Sequence, residues 1–138
     1  MKQTGPFYLG IDIGTGSVKV MLIDEKGRSL GSAASEYPTS YPKPGYVEQN
    51  PEDWYRQTCV AVQRLLEQRN IDRSQIVGVG ICGTAHAPVL LDGNMRVLRP
   101  AILWSDQRSH REVIELKTEA EKNSASHDLQ RLYCIPVY

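Results

Sequence analysis

The feature that most limits the fold of this chain is a glycine-rich bend between two strand-like segments near its start. Residues 7–13 are almost wholly apolar, which is typical of a strand buried on both faces. Gly14, Thr15 and Gly16 interrupt that run. In residues 17–22 apolar side chains then alternate with others, which indicates a second strand. The bend is therefore predicted to join two strands of one hairpin.

The pattern after the hairpin predicts a third strand, a loop and a helix. A turn at residues 24–27 leads to a strand predicted over 28–37. Residues 38–51 are rich in proline and are predicted to form an irregular loop. A helix is then predicted between Asn50 and Asn70. Three strands joined by short turns would form an antiparallel meander.

The predicted helix begins with several signals that agree. Asn50 can cap it, Pro51 suits its first position, and Glu52 and Asp53 place negative charge in its first turn. One face is predicted to carry the residues that pack on the sheet. These residues are Trp54, Tyr55, Thr58, Cys59, Val62, Leu65 and Leu66.

The second half of the chain predicts further strands and a second helix. Residues 76–82 are apolar and β-branched and are predicted to form a core strand. A hairpin is predicted from 87–91 and 96–98, a short strand over 100–104, and a helix after Ser105. This order indicates an α/β layer with an antiparallel start, as in the ribonuclease-H-like fold of actin-like ATPases.

Composition excludes several classes of function. Sixteen basic residues balance sixteen acidic ones, so the chain lacks the basic excess of a nucleic-acid binder. The apolar runs are too short to span a bilayer, and no signal-peptide core precedes the first strand. Cys59, Cys82 and Cys134 are widely spaced and are predicted to be reduced thiols of a cytoplasmic protein. We expect neither nucleic acid nor a membrane as a partner.

The bend has the residue types of a phosphate-binding loop. Gly14 and Gly16 can adopt unusual backbone angles and let a phosphate approach the main chain closely. Thr15 and Ser17 add hydroxyl donors, and Lys19 supplies a nearby cation. The spacing fits neither the Walker loop nor the dinucleotide-binding fingerprint. A glycine turn without a ligand is the alternative interpretation.

Asp12 decides between these two interpretations of the bend. It lies at the tip of the first predicted strand, where a carboxylate would repel a phosphate. Near a nucleotide it fits only with a bridging Mg²⁺ or water. Together with the hydroxyls of Thr15 and Ser17, Asp12 favours a nucleotide site over a plain turn.

Two polar segments follow predicted strands in the second half. CGTAHAP places His86 beyond a strand, where α/β proteins commonly bind ligands, and its ring nitrogens can bond a sugar hydroxyl. ILWSDQR contains Trp104, whose indole face suits the C–H surface of a sugar, and Asp106, which can accept from hydroxyls. The alternatives are a structural histidine, and a core tryptophan beside an Asp106–Arg108 contact.

Three segments in order resemble FGGY carbohydrate kinases, and xylulokinases most of all. GIDIGTGSVKV resembles the first phosphate motif of that family. PGYVEQNPEDWY resembles its proline-glycine-aromatic segment before a helix. CGTAHAPVLLD followed by VLRPAILWSDQR resembles its sugar-binding pattern. The resemblance implies the amino-terminal domain of a two-domain kinase with a ribonuclease-H-like (actin-like ATPase) fold.

The resemblance also implies an activity and roles for named residues. The γ-phosphoryl group of ATP would pass to a sugar hydroxyl, with a xylulose-like pentulose favoured. Asp12 would position Mg²⁺ or its water. The residues facing the phosphates would be Gly14, Thr15, Gly16, Ser17 and Lys19. The residues contacting or lining the sugar pocket would be Ala85, His86, Trp104 and Asp106.

Departures from the family pattern leave alternatives open. Thr84 and Ala85 replace the Gln-Met of typical xylulokinases, and Ala87 replaces a glycine, so gluconate, ribulose, a sugar alcohol or glycerol stay open as substrates. Glycerol kinases, however, carry Arg-Glu where this chain has Ala85 and His86.

The end of the chain carries a further expectation. Residues 132–138 resemble a segment after which family members continue, so residues 1–138 are expected to be a partial domain. This part would lack the catalytic-base aspartate, the adenosine pocket and the carboxy-terminal domain, and would be inactive alone. A non-catalytic sugar- or phosphate-binding module is the alternative. Exposed apolar surface would favour self-association, for example as a homodimer.

Overall fold

A computed structural model of the chain describes residues 5–122, and the features predicted at 123–138, including Cys134, lie outside them. The strands are β1 (Phe7–Ile13), β2 (Ser17–Asp24), β3 (Ser29–Glu36), β4 (Glu48–Gln49), β5 (Ile76–Cys82) and β6 (Ala101–Ile102). The helices are α1 (Pro51–Arg69) and α2 (His110–Lys122), with a 3₁₀ turn at Arg73–Gln75. None of the described helices is long and apolar enough to cross a membrane.

The main sheet has four strands in the order β3-β2-β1-β5. β1 pairs antiparallel with β2, and β2 pairs antiparallel with β3, so the predicted meander is confirmed. β5 runs parallel to β1 on the other side. The bend at residues 14–16 therefore lies at the same end of the sheet as the carboxyl end of β5.

Helix α1 covers only one face of this sheet, and this overturns one prediction about β1. Phe7, Leu9 and Ile11 are buried, but the alternate residues Tyr8, Gly10 and Asp12 are exposed. Within residues 5–122 β1 is thus buried on one face only, because α1 packs on the side of Phe7 and chiefly against β2 and β3.

β5 is present as predicted, but it is not a core strand in the described part of the chain. The side chains of Val79 and Ile81 are 57% and 69% exposed. Val79 and Ile81 pair with Leu9 and Ile11 of β1, so their side chains lie on the face of the sheet that α1 covers at the other strands. Because α1 does not extend over β5, an apolar sequence alone did not ensure burial.

Helix α1 begins and ends where the sequence predicts. The Asn50 side chain accepts a hydrogen bond from the backbone N–H of Glu52 at 3.1 Å, and Asn70 ends the helix in the left-handed conformation with φ of 52°. Its inner face is partly different from the predicted one. Ala61 and Leu65 are fully buried, whereas Tyr55 and Cys59 are exposed. Tyr55 and Cys59 each lie one position beyond the residues that the 3.6-residue period of the helix turns toward the sheet.

A small second sheet positions the segment before α2. Glu48 pairs with Ile102 and Gln49 pairs with Ala101, so the loop predicted over 38–51 contains strand β4. The strand predicted over 100–104 is shortened to β6. The predicted hairpin over 87–98 is reduced to a bridge between Leu91 and Val97.

Candidate functional site

The bend at residues 14–16 is open to solvent on its outer side. Thr15 and Gly16 are exposed, and the Gly14 N–H donates to the Ser17 carbonyl at 3.0 Å. Neither glycine has a positive φ, so the bend does not use the unusual backbone angles that glycine can adopt. A Cβ on Gly16 would meet no atom within 4 Å. Glycine at this position therefore keeps a space beside the main chain free.

The inner side of the bend is held through its carbonyl groups. The Gly14 carbonyl accepts from the Tyr37 hydroxyl, the Thr15 carbonyl from Gln49 Nε2 at 2.6 Å, and the Gly16 carbonyl from the Tyr37 N–H at 3.3 Å. In a trans peptide the N–H points opposite to the C=O. The N–H groups of Thr15 and Gly16 therefore point away from these partners. No described residue accepts a hydrogen bond from either N–H, so an approaching anion would meet free donors.

Asp12 and Lys19 flank the bend as a cross-strand pair. Both are exposed, and neither side chain has a hydrogen-bond or ion-pair partner among the described residues. Burial and then the negative charge of Asp12 raise the pKa of the nearby Tyr37. Within residues 5–122 no group of three His, Cys, Asp or Glu side chains could hold a metal. Asp12 supplies an exposed carboxylate, which is the type of ligand that Mg²⁺ takes from proteins.

The turn after β5 is tied directly to the end of β1. The Thr84 hydroxyl donates to the Ile13 carbonyl at 2.8 Å, next to the bend. Ala85 and His86 follow in the turn, and both are exposed. His86 has a left-handed backbone with φ of 56°, a conformation that is uncommon outside glycine and that concentrates at ligand sites. Whether His86 binds a sugar or has a structural role stays a prediction.

Trp104 joins the third predicted segment to the bend. Its indole Nε1 donates to the Thr15 hydroxyl at 3.4 Å, and its side chain is 58% exposed. Among residues 5–122 Trp104 is therefore not part of the core. The structure thus brings the bend, the 84–86 turn and Trp104 to one end of the sheet.

Asp106 is held by protein groups on both carboxylate oxygens. Oδ1 accepts from the Arg108 N–H and Nε at 2.9 and 2.8 Å, and Oδ2 accepts from the Val47 N–H and Arg108 Nη2 at 2.6 and 2.8 Å. The Asp106 side chain is 3% exposed. The contact between Asp106 and Arg108 that the sequence left as an alternative is present. A sugar contact of Asp106 stays a prediction.

The sequence does not predict the further contacts of Arg108 with Glu48 and Tyr46, which form a charged cluster. Glu48 Oε1 accepts from Arg108 Nη2 and from Arg99 Nη2, both at 2.7 Å, and the Arg108 guanidinium lies 3.9 Å from the centre of the Tyr46 ring. The cluster joins the 46–48 segment to residues on either side of Trp104. It fixes the loop that presents the indole to the bend.

This cluster gives a pH-dependent prediction. The hydrogen bonds from Arg108 lower the pKa of Asp106 to about 2, against about 4 in an unfolded chain. A lowered pKa means that the contact stabilises the fold fully above about pH 4 and is lost as pH falls through about 2. We expect the indole N–H resonance of Trp104 to shift in this window in ¹⁵N-tryptophan NMR spectra. In Asp106→Asn the shift should disappear, and its persistence there would assign it to another group.

Comparison with known proteins indicates the same family at each level. The model of the FGGY family of carbohydrate kinases, N-terminal domain, matches residues 7–138. A xylulose kinase from Bacillus subtilis (strain 168) is 40% identical over 110 residues, which are 80% of this chain and 22% of that protein. A glycerol kinase from Thermococcus gammatolerans is 32% identical over 113 residues, 82% of this chain and 23% of that protein.

A solved structure agrees with the fold. A xylulose kinase from Brucella ovis is similar with a TM-score of 0.78 and 43% identity over 83% of this chain and 24% of that chain. The predicted ribonuclease-H-like fold is thereby confirmed. The chain spans about a quarter of the length of these relatives. On the match over residues 7–138 and these likenesses, the chain belongs to the FGGY family of carbohydrate kinases.

Proposed function

We propose that the full-length protein carrying this chain is an ATP-dependent kinase that phosphorylates a xylulose-like pentulose. The observation that carries the proposal is the contact between Trp104 Nε1 and the Thr15 hydroxyl, which puts a sugar-stacking surface beside an anion-binding bend. The tie from Thr84 to Ile13 brings His86 to the same end of the sheet. Phosphoryl transfer needs an acceptor hydroxyl and a terminal phosphate held side by side, and this arrangement supports that geometry.

The phosphate side of the site is built from the bend. The outward N–H groups of Thr15 and Gly16, with the hydroxyls of Thr15 and Ser17, would donate to phosphate oxygens, and Lys19 would add positive charge. The open space at Gly16 allows close approach. Such preorganised donors stabilise charge where it develops in the transferred group. ATP would supply the phosphoryl group.

Asp12 is assigned to the metal side of the reaction. Its exposed carboxylate, which has no hydrogen-bond or ion-pair partner in the described part, would hold Mg²⁺ through a water molecule. When bound, Mg²⁺ neutralises phosphate charge during transfer. The negative charge of Asp12 would also repel the phosphates and so keep them at a distance from its carboxylate.

The sugar side would be formed by Ala85, His86, Trp104 and Asp106. The His86 ring can donate to or accept from a hydroxyl, and the exposed Trp104 indole offers an apolar face. Asp106 lies two residues after Trp104, and its contacts with Arg108 and Val47 hold that loop in place. We therefore assign Asp106 to the pocket wall.

Replacement of His86 by asparagine is expected to raise the KM for the sugar about tenfold and to leave the KM for ATP unchanged. Asparagine accepts the left-handed backbone that His86 adopts, so the change removes the imidazole without adding strain. One lost hydrogen bond to a ligand accounts for roughly this factor. Steady-state kinetics with the sugar varied at saturating ATP would measure it. An unchanged sugar KM would remove His86 from the pocket.

The test of the proposed function is a panel of acceptors with ATP and Mg²⁺ on the full-length protein. We expect phosphorylation of D-xylulose, with slower or no reaction on gluconate, ribulose, sugar alcohols and glycerol. Glycerol is the second candidate, because a glycerol kinase is among the similar proteins. Sugar binding without turnover of any acceptor would instead support a non-catalytic binding module.

Two further expectations accompany this function. The free thiols of Cys59 and Cys82 fit the reducing cytoplasm as the place of the reaction. Exposed Val79 and Ile81 on β5 would favour association with further protein surface, including a second copy in a homodimer.

A further inference from the structure

Gln49 is a fully buried polar side chain directly behind the bend. It is 2% exposed, although it lies in a strand of only two residues just before α1. Nε2 donates to the Thr15 carbonyl at 2.6 Å and to the Thr39 hydroxyl at 2.7 Å, and Oε1 accepts from Trp54 Nε1 at 2.8 Å. Both amide hydrogens are therefore used.

The neighbours of Gln49 fix which way its amide faces. An indole N–H can only donate, so Trp54 requires the oxygen of the amide on its side. The amide nitrogen must then face the Thr15 carbonyl, which can only accept. Trp54 belongs to the first turn of α1 and packs against the core. The amide orientation is thus tied to the helix and the core, and through them to the bend.

This arrangement determines where the bend directs its donors. Holding the Thr15 carbonyl inward turns the N–H of the same peptide group, that of Gly16, outward. We propose that Gln49 is a positioning residue that orients the Gly16 N–H toward the phosphates of ATP. This inference rests on the proposed function, since it assigns a task to Gln49 in the phosphate site described above. Gln49 itself would not touch the nucleotide.

Only a side chain with a donor and an acceptor at one end meets these requirements. Leucine offers neither, so the Thr15 carbonyl would lose its partner and the peptide group could rotate. Glutamate keeps the size of glutamine but would set a carboxylate against the Thr15 carbonyl. A protonated glutamate regains one O–H donor. Gln49→Glu should therefore recover part of the lost function at low pH.

The test measures the KM for ATP and for the sugar separately in full-length Gln49→Leu and Gln49→Glu. We expect the KM for ATP to rise about tenfold at neutral pH in both variants. The KM for the sugar should stay within about twofold of the wild-type value. In Gln49→Glu the KM for ATP should fall again as pH is lowered toward 5, which a purely structural defect would not produce. If Gln49→Leu fails to fold, the isosteric Gln49→Glu decides the question.

A matched control is available on α1. Gln57 accepts from the Ser35 hydroxyl at 2.7 Å and makes no hydrogen bond with the bend within the described part of the chain, so Gln57→Leu should leave both KM values unchanged. An unchanged KM for ATP in Gln49→Glu, or equal rises for ATP and sugar, would overturn the inference while the proposed function stands. If the wild-type protein phosphorylates no acceptor with ATP, the proposed function itself is wrong.

Discussion

Replacement of Asp12 by alanine is expected to lower kcat of the full-length protein by about a thousandfold and to leave its affinity for the sugar unchanged. The Asp12 carboxylate is exposed beside the bend and makes no hydrogen bond or ion pair among the described residues, so its removal costs the fold little. The large loss would come from the phosphate side, where charge neutralisation dominates phosphoryl transfer. Single-turnover kinetics would measure the chemical step, and calorimetry would measure sugar binding.

Two companion variants sharpen the interpretation of Asp12→Ala. Asp12→Asn keeps the shape and removes the charge, so it should lose nearly as much activity. Asp53→Ala removes a carboxylate that pairs with Arg56 at 3.0 Å on the surface of α1, and it should keep full activity. Turnover in Asp12→Ala close to that of Asp53→Ala would remove Asp12 from the reaction.

Gly16→Ala is expected to reduce kcat/KM for ATP by about a hundredfold without unfolding the protein. The new methyl group would meet no protein atom within 4 Å, and the backbone of Gly16 does not have a positive φ. The fold should therefore tolerate alanine. The methyl group would nevertheless occupy the space that a phosphate needs, and a displacement of about 1 Å at a reacting group can cost about this factor.

The control for Gly16→Ala is a second glycine with equal room. A Cβ on Gly93, in the turn after Asp92, would also meet no atom within 4 Å. Gly93→Ala should leave both thermal stability and ATP kinetics unchanged. Wild-type kinetics in Gly16→Ala would mean that no phosphate approaches the bend on that side.

Features set by neighbouring residues could be predicted from the sequence. The hairpin around residues 14–16 followed from alternation in the second strand, and the start of α1 followed from Asn50 and Pro51. These depend on interactions within a few residues. The same local patterns did not predict the exposure of β5 in the described part of the chain, because burial of Val79 and Ile81 depends on what packs over them.

The supports of the candidate site depend on contacts between distant residues, and no local pattern indicates these. Gln49 reaches Thr15 across 34 positions, and Arg108 reaches Glu48 across 60. The resemblance to family motifs marked the segment containing Gln49 and Glu48 but assigned neither residue a task. The same holds for Asp106, because a carboxylate shortly after a tryptophan is compatible with both a sugar ligand and a partner of an arginine. The sequence therefore could not decide between these two roles.

The most direct measurement is a crystal structure of the full-length protein with a non-hydrolysable ATP analogue, Mg²⁺ and D-xylulose. We expect an oxygen of the terminal phosphates within about 3 Å of the Gly16 N–H and the sugar against the Trp104 indole. A nucleotide bound with its phosphates away from the bend, or a sugar that touches neither His86 nor Trp104, would contradict the account.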